Sequence, residues 1–283
     1  MRELLLTVEP SEDNMTALDL LRSRGFSRRM VTSLKQSGGL TRGGEVLRSV
    51  DRVRAWETIR VVMEDSGGAV PNSSIRVAIA YEDEDIIIYD KPPFLAVHPS
   101  IRHYDDTLAN AFAARFPDIT FRPINRLDSD TSGLCVCAKN RLAAAGLADM
   151  KKVYFAVVCG DIERGGTVDL PIARESDSII KRIVRADGKP AVTRFEPIER
   201  VNGRTLLKIR LETGRTHQIR VHMSHIGYPL CGDRLYGGDA SISRQALHCG
   251  ETEFIHPITG QTISVSAPLP EDIRALLKDP KGA

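Results

Sequence analysis

The sequence has no apolar run long enough to cross a membrane. Its first residues, Met1-Arg2-Glu3-Leu4-Leu5-Leu6, lack the apolar core and small-residue cleavage site expected of a signal peptide. It has no H-E-x-x-H, no glycine-rich phosphate loop and no nucleophile elbow, so nothing points to a zinc protease, a nucleotide-binding enzyme or an α/β-hydrolase. Its five cysteines are odd in number and none stands in C-x-x-C spacing. They read as reduced thiols, mostly in the core, of a cytoplasmic protein. His217, His222 and His225 fall at i, i+5 and i+8 of one predicted helix, which spreads them around its axis rather than aiming them at one ion. No metal and no cofactor is expected. There is little net charge either: 39 Lys and Arg against 37 Asp and Glu give +2. Any nucleic-acid signal must therefore lie in how charge is distributed. With 283 residues, 42% hydrophobic and 27% charged, the chain can build one large or two modest soluble domains without staples.

What is present divides the chain. Between Arg22 and Arg60 stand ten basic residues (Arg22, Arg24, Arg28, Arg29, Lys35, Arg42, Arg48, Arg52, Arg54, Arg60) and three acidic ones (Glu45, Asp51, Glu57). Such a window suits a phosphate backbone; the plain alternative is a solvated helix face. Leu18 and Leu21 predict a helix over 15–24. Met30, Val31 and Leu34 predict another over 27–36 with Ser27 as N-cap. Gly43-Gly44 reads as a hairpin turn and 59–63 as a closing strand. Residues 65–75 are a linker by composition. Beyond it come predicted strands at 75–80 and 86–89, a helix over 107–116, a strand after Gly133, a helix over 141–150 and a strand around Tyr154. A hairpin pairs 193–198 with 205–211, and a helix spans 216–226 with Gly227 as its C′ residue. A second hairpin joins 245–254 to 261–266, and 271–278 is a terminal helix. Many strands with few crossover helices predict an α+β fold. Its central sheet is mixed but mainly antiparallel, flanked by helices and preceded by a small α/β domain. The expected division is 1–64, 65–75 and 76–283.

The stretch around which the rest is organised is Ile124-Asn125-Arg126-Leu127-Asp128-Ser129-Asp130-Thr131-Ser132-Gly133, leading into the apolar Leu134-Cys135-Val136-Cys137-Ala138. A polar turn feeds a buried strand. Asp128 therefore sits on a rigid junction that can face a cleft, with Arg126 two residues before it. An Arg-Asp pair that merely pins a turn is the structural alternative. His98 and His256 each precede a proline and read as structural.

Two further segments follow: Lys152-Val153-Tyr154-Phe155-Ala156-Val157-Val158-Cys159-Gly160, and Thr213-Gly214-Arg215-Thr216-His217-Gln218-Ile219-Arg220-Val221-His222-Met223 with Pro229-Leu230-Cys231-Gly232-Asp233-Arg234-Leu235-Tyr236-Gly237 after it. In this order the segments resemble the RluA-type pseudouridine synthases, whose pattern is H-R-L-D-x-x-T-S-G, K-x-Y-x-A-x-V-x-G, T-G-R-T-H-Q-I-R-V-H-M and P-L-x-G-D-x-x-Y-G. Upstream, 90–99 is similar to the family's D-K-P-x-G-L-x-V-H-P. Several long motifs in order are far more specific than one short motif. The two short helices and basic hairpin of 1–64 resemble an S4-type RNA-binding domain, although 37–46 departs from that domain's usual Val-Asn-Gly pattern. Two departures from the synthase pattern stand out. Asn125 replaces the usual His, and the interval between Lys139 and Tyr154 is short.

The resemblance implies a pseudouridine synthase fold and a redox-neutral isomerisation: the uridine N1–C1′ bond breaks, the base turns, and C5 bonds to C1′. It implies Asp128 as the catalytic carboxylate, Arg215 as the arginine paired with it, and Tyr154 as the aromatic partner of the flipped base. Arg126 would enter the RNA, and Arg22, Arg24, Arg28, Arg29, Lys35 and Arg42 would grip its backbone. Asn125 is expected to act structurally. The implied partner is structured RNA, ribosomal before transfer RNA, bound by a monomer without guide RNA or membrane. An RNA-binding protein of the same fold without catalysis is the alternative, opposed by the intact Asp128, Tyr154 and Arg215.

Overall fold

The computed structural model describes residues 2–65, 67–100, 103–176, 178 and 180–278; Ser66, within the expected linker, lies outside them. The chain opens with a strand that periodicity did not reveal, β1 (Arg2–Thr7), because only Leu4 of its leucines is fully buried. Helices α1 (Ala17–Ser23) and α2 (Arg28–Ser37) follow. Thr16 caps α1 and Ser27 caps α2, their hydroxyls accepting from the amides of Asp19 and Met30. Met30, Val31 and Leu34 form the buried face of α2. Strands β2 (Leu40–Arg42) and β3 (Glu45–Val46) make the hairpin across Gly43-Gly44, and β4 (Thr58–Met63) closes a four-stranded sheet of order β1-β4-β2-β3. This sheet and its helices bury their own core, which Leu142 and Ile258 from later in the chain complete. Arg2 also donates to Asp85 (2.7 and 3.0 Å) across the same boundary.

After β4, Asp65 and Val70 are each anchored to later parts of the chain. Asp65 accepts from Arg122 and Thr120, and Asn110 Nδ2 donates to the carbonyl of Val70. Then come β5 (Ala78–Glu82), β6 (Ile86–Lys91), α3 (Leu108–Arg115), β7 (Arg122–Pro123), β8 (Ser132–Ala138) and α4 (Arg141–Gly146). They are followed by β9 (Lys151–Cys159), β10 (Gly166–Asp169), β11 (Ile172–Arg174), β12 (Arg182–Val184), β13 (Val192–Val201) and β14 (Arg204–Leu211). The last elements are α5 (Gln218–His225), β15 (Leu247–Ile255), β16 (Thr262–Ser266) and α6 (Glu271–Arg274). Strand β5 begins later than the alternation suggested. It is a half-exposed edge strand with a bulge between Ile79 and Tyr81, so burial leaves little imprint on its sequence. Helix α4 is shorter than expected, and the residues after it turn into the cleft described below.

Ten strands share one sheet, ordered β10-β13-β14-β9-β15-β8-β6-β5, with β16 on β15 and β7 on β8. This is the expected α+β architecture with a mixed, mainly antiparallel sheet. Among the described residues only β8 and β15 pair in parallel, through Ser132 with His248 and Cys249 with Gly133. Every residue of β8 is buried, as its unbroken apolar run implies. Gly133 lies at φ +108 directly against the backbone of Cys249, where a Cβ would collide with the Cys249 carbonyl. The Thr-Ser-Gly of the central stretch thus permits β8 to close on β15, and this junction fixes the loop carrying Asp128.

Candidate active site

The 124–131 loop is held from three sides. Asn125 is buried; its Nδ2 donates to the Leu134 carbonyl (2.9 Å) and its Oδ1 accepts from the Val136 amide (2.8 Å). Its amide thus pairs with β8 as a neighbouring backbone would. The Thr131 amide closes the turn on the Asp128 carbonyl (3.0 Å). From behind, the fully buried Lys91 donates from Nζ to the carbonyls of Pro92 (2.8 Å), Leu95 (2.8 Å) and Ser129 (2.9 Å). Burial without a bonded carboxylate lowers the Lys91 pKa to about 8. Arg244 Nη1 adds a bond to the Asp130 carbonyl (3.2 Å).

Asp128 emerges from this frame on the floor of a cleft of about 930 Å³. The arginine paired with it is Arg220, not Arg215. Arg220 Nη1 donates to Asp128 Oδ2 (2.9 Å), while its Nε and Nη2 donate to the buried Asp233 (2.7 and 2.9 Å) and its guanidinium lies 5.0 Å from the Tyr236 ring centroid. Burial opposes the Arg220 charge, but Asp233 and Asp128 outweigh it and raise the pKa. Helix α5 explains the exchange. It begins two residues later than periodicity suggested, with His217 as N-cap in the left-handed region (φ 57). Arg215 is left outside the helix, exposed, its Nε on the Pro190 carbonyl (3.0 Å), while Arg220 falls on the buried face.

His217 Nε2 lies 3.6 Å from Asp128 Oδ2, and its Nδ1 meets the Tyr236 hydroxyl at 2.9 Å. Burial lowers the His217 pKa, and Arg220 and Arg182 add to this against the pull of Asp128. The imidazole beside the carboxylate is therefore neutral near pH 7. Asp128 Oδ1 receives no hydrogen bond among the described residues, so one carboxylate oxygen is fixed and the other is open. Tyr154 on β9 lines the same cleft. It is buried, and desolvation pushes its pKa well up, keeping the phenol protonated.

The family model for RNA pseudouridylate synthases matches residues 85–225. The ribosomal large subunit pseudouridine synthase D of Xanthomonas campestris pv. campestris is 40% identical over 279 residues, 89% of this chain and 84% of that protein. This chain belongs to the RluA-type RNA pseudouridine synthases. The uncharacterized RNA pseudouridine synthase YjbO of Bacillus subtilis is 38% identical to this synthase, over 93% of this chain and 99% of that one. Among solved structures, human RNA pseudouridylate synthase domain containing 1 superposes with a TM-score of 0.57 at 28% identity, covering 70% of the synthase and 85% of the human chain. The synthase is an isomerase that converts uridine in RNA to pseudouridine.

The cleft of the synthase brings together Asp128, Tyr154, Arg126 and Arg215. Arg126 is exposed and also lines a neighbouring annex of about 520 Å³, together with Arg174, Arg182, Asp187, Lys189 and Arg215. Arg220, Asp233 and His217 were missed as site residues although all stand in the quoted motifs. Their pairing depends on the start of α5, which the motif does not reveal. His98, read as structural, packs edge-on against Phe121 (5.3 Å) and also lines the cleft. His256 is internal, its Nδ1 accepting from the Ile258 and Thr259 amides. His222 has both ring nitrogens engaged, with Thr193 Oγ1 and the Leu170 carbonyl (2.9 Å each). In the N-terminal module Arg22, Arg28, Arg29 and Lys35 are exposed without an ion pair among the described residues. Arg24 instead clamps Glu12 (2.8 and 2.7 Å), and Arg42 donates to the Arg52 carbonyl and Glu57.

Proposed function

We propose that this synthase isomerises uridines of large-subunit ribosomal RNA with Asp128 as the reacting carboxylate. The observation that carries the reading is the half-fixed carboxylate of a cleft residue: Arg220 holds Oδ2 with His217 beside it, and Oδ1 accepts no hydrogen bond among the described residues. A target uridine leaves its stack to enter the cleft, and Arg126, on the same loop, fills the space it vacates. Asp128 supplies the covalent or proton-transfer chemistry. The N1–C1′ bond breaks, the base turns, and C5 bonds to C1′. The C5 proton then leaves and N1 gains one, so no electrons enter or leave. The protonated Tyr154 packs on the base and can donate a hydrogen bond, while its raised pKa holds the proton on the phenol near neutral pH.

Ribosomal RNA is favoured because the relatives in Xanthomonas campestris and Pseudomonas aeruginosa are named ribosomal large subunit pseudouridine synthase D. Residues 1–64 act as an S4-like RNA-binding domain. Arg22, Arg28, Arg29 and Lys35 meet the phosphate backbone, while Arg24 and Arg42 hold the module together. The cations of the annex guide the RNA strand leaving the cleft. The enzyme works as a cytoplasmic monomer without guide RNA. Tritium release from RNA labelled at uridine C5 tests the reading, with bulk ribosomal and bulk transfer RNA assayed separately and Asp128→Asn as control. Release from ribosomal RNA by the wild type alone is expected; release from transfer RNA only would reassign the substrate.

A further inference from the structure

Phe94 is unusual in two respects. Its backbone lies at φ +64, in the left-handed region that a bulky L-residue rarely adopts, and its ring is 59% exposed. The neighbours impose this conformation. Lys91 binds the carbonyls on either side, those of Pro92 and Leu95. Leu95 and Val97 are buried in the core, and the amides of Leu108 and Ala109 at the start of α3 hold the carbonyls of Ala96 (2.9 Å) and Val97 (3.1 Å). Residue 94 is thus the apex of a turn closed on both sides. Glycine adopts this backbone without strain, and glycine stands here in the synthase pattern D-K-P-x-G-L.

An exposed ring gains little within the fold to offset a strained backbone. Its location suggests what does. The same Lys91 ties the turn to Ser129, the residue after Asp128, and the next residues in the chain, Ala96, Val97 and His98, line the catalytic cleft. We infer that Phe94 stacks on an unpaired RNA base flanking the target uridine, at the rim outside the cleft. This rests on the assignment of the cleft as the uridine site. Extruding a uridine unstacks its neighbours and leaves base faces open, and an aromatic ring takes any base because every base has a π-face.

The test compares Phe94→Gly, Phe94→Leu and Phe94→Tyr with the wild type for binding to in vitro transcribed large-subunit ribosomal RNA, and for thermal unfolding. Phe94→Gly is expected to keep or raise Tm and to weaken binding about 5- to 100-fold, Phe94→Leu to weaken it to a similar degree, and Phe94→Tyr to stay within about threefold of wild type. Wild-type affinity in the Gly or Leu variant overturns the inference and leaves the ring for a protein partner. A lower Tm for Phe94→Gly overturns it as well, because the ring would then be supporting the fold. Tritium release by the wild type on the same RNA reports separately on the uridine site, and the ratio of variant to wild-type affinity decides on Phe94 whatever that release shows.

Discussion

Arg220 binds Asp128 and Asp233 at once, with one Nη on the first and Nε plus the other Nη on the second. Only a planar fork can bridge two carboxylates in this way, and Tyr236 supports its flat face. The orientation of the Asp128 carboxylate is therefore set by a residue 92 positions away. Arg220→Lys should lower single-turnover kcat about 10²-fold through misplacement of Asp128. Arg215→Lys should act mainly on RNA affinity. Equal losses in kcat would refute the exchange of roles. Asp128→Asn should abolish turnover and change RNA affinity by no more than a few-fold.

Lys91 gives a pH dependence of definite sign. Burial depresses its folded pKa to about 8 from an ordinary value of 10.5, with Asp130 and Asp128 opposing and Arg244 adding. An ammonium satisfies three carbonyls, but the neutral amine has only two N–H groups. Turnover should fall as pH rises through about 8, because the Ser129 anchor beside Asp128 loosens. Stability should move the other way. Between the folded and unfolded values the unfolded chain binds more protons, so the contribution of this group to folding rises with pH across that window, by up to about 3 kcal/mol. Chemical unfolding of wild type and Lys91→Met from pH 7.5 to 10 checks this: the stability of wild type relative to Lys91→Met should rise with pH. A constant gap would sink the assignment.

The basic residues should separate by function. Lys189→Gln, Arg174→Gln, Arg28→Gln and Arg29→Gln should each weaken RNA binding and reduce the slope of log affinity against log salt by about 0.7–0.9. Arg24→Gln should instead lower stability by about 1–3 kcal/mol, since it leaves Glu12 without its bidentate partner. Salt titrations of RNA binding alongside thermal melts distinguish the two groups.

Asn125→Ala should lower stability by about 1–3 kcal/mol, because the Leu134 carbonyl and the Val136 amide both lose a buried partner. kcat should fall as well, since that amide sets where the Asp128 loop leaves β8. A variant with normal Tm and normal kcat would show that β8 closes without it.

Signals in the sequence were strong enough to place α2 with its Ser27 cap, the hairpin of 193–198 with 205–211, the buried β8, and Asp128 and Tyr154 on one cleft. The helix, hairpin and strand rest on periodicity, a cap or a turn, which operate within a few residues, whereas bringing Asp128 and Tyr154 together rests on the resemblance to the synthase family. Choices between similar side chains were decided only by tertiary structure. Arg215 and Arg220 stand five apart in one motif, and the first turn of α5 with the distant Asp233 determines which of them reaches Asp128. Arg24 and Arg28 look alike in a charge count, but only Arg24 faces Glu12. Phenylalanine itself does not signal the left-handed backbone at position 94, where the synthase pattern has glycine; Lys91 and α3 impose it from either side. The sequence by itself determined which groups are available and which strands and helices carry them. Which oxygen meets which nitrogen was left to the packing of elements far apart in the chain, because long-range contacts leave no local pattern to read.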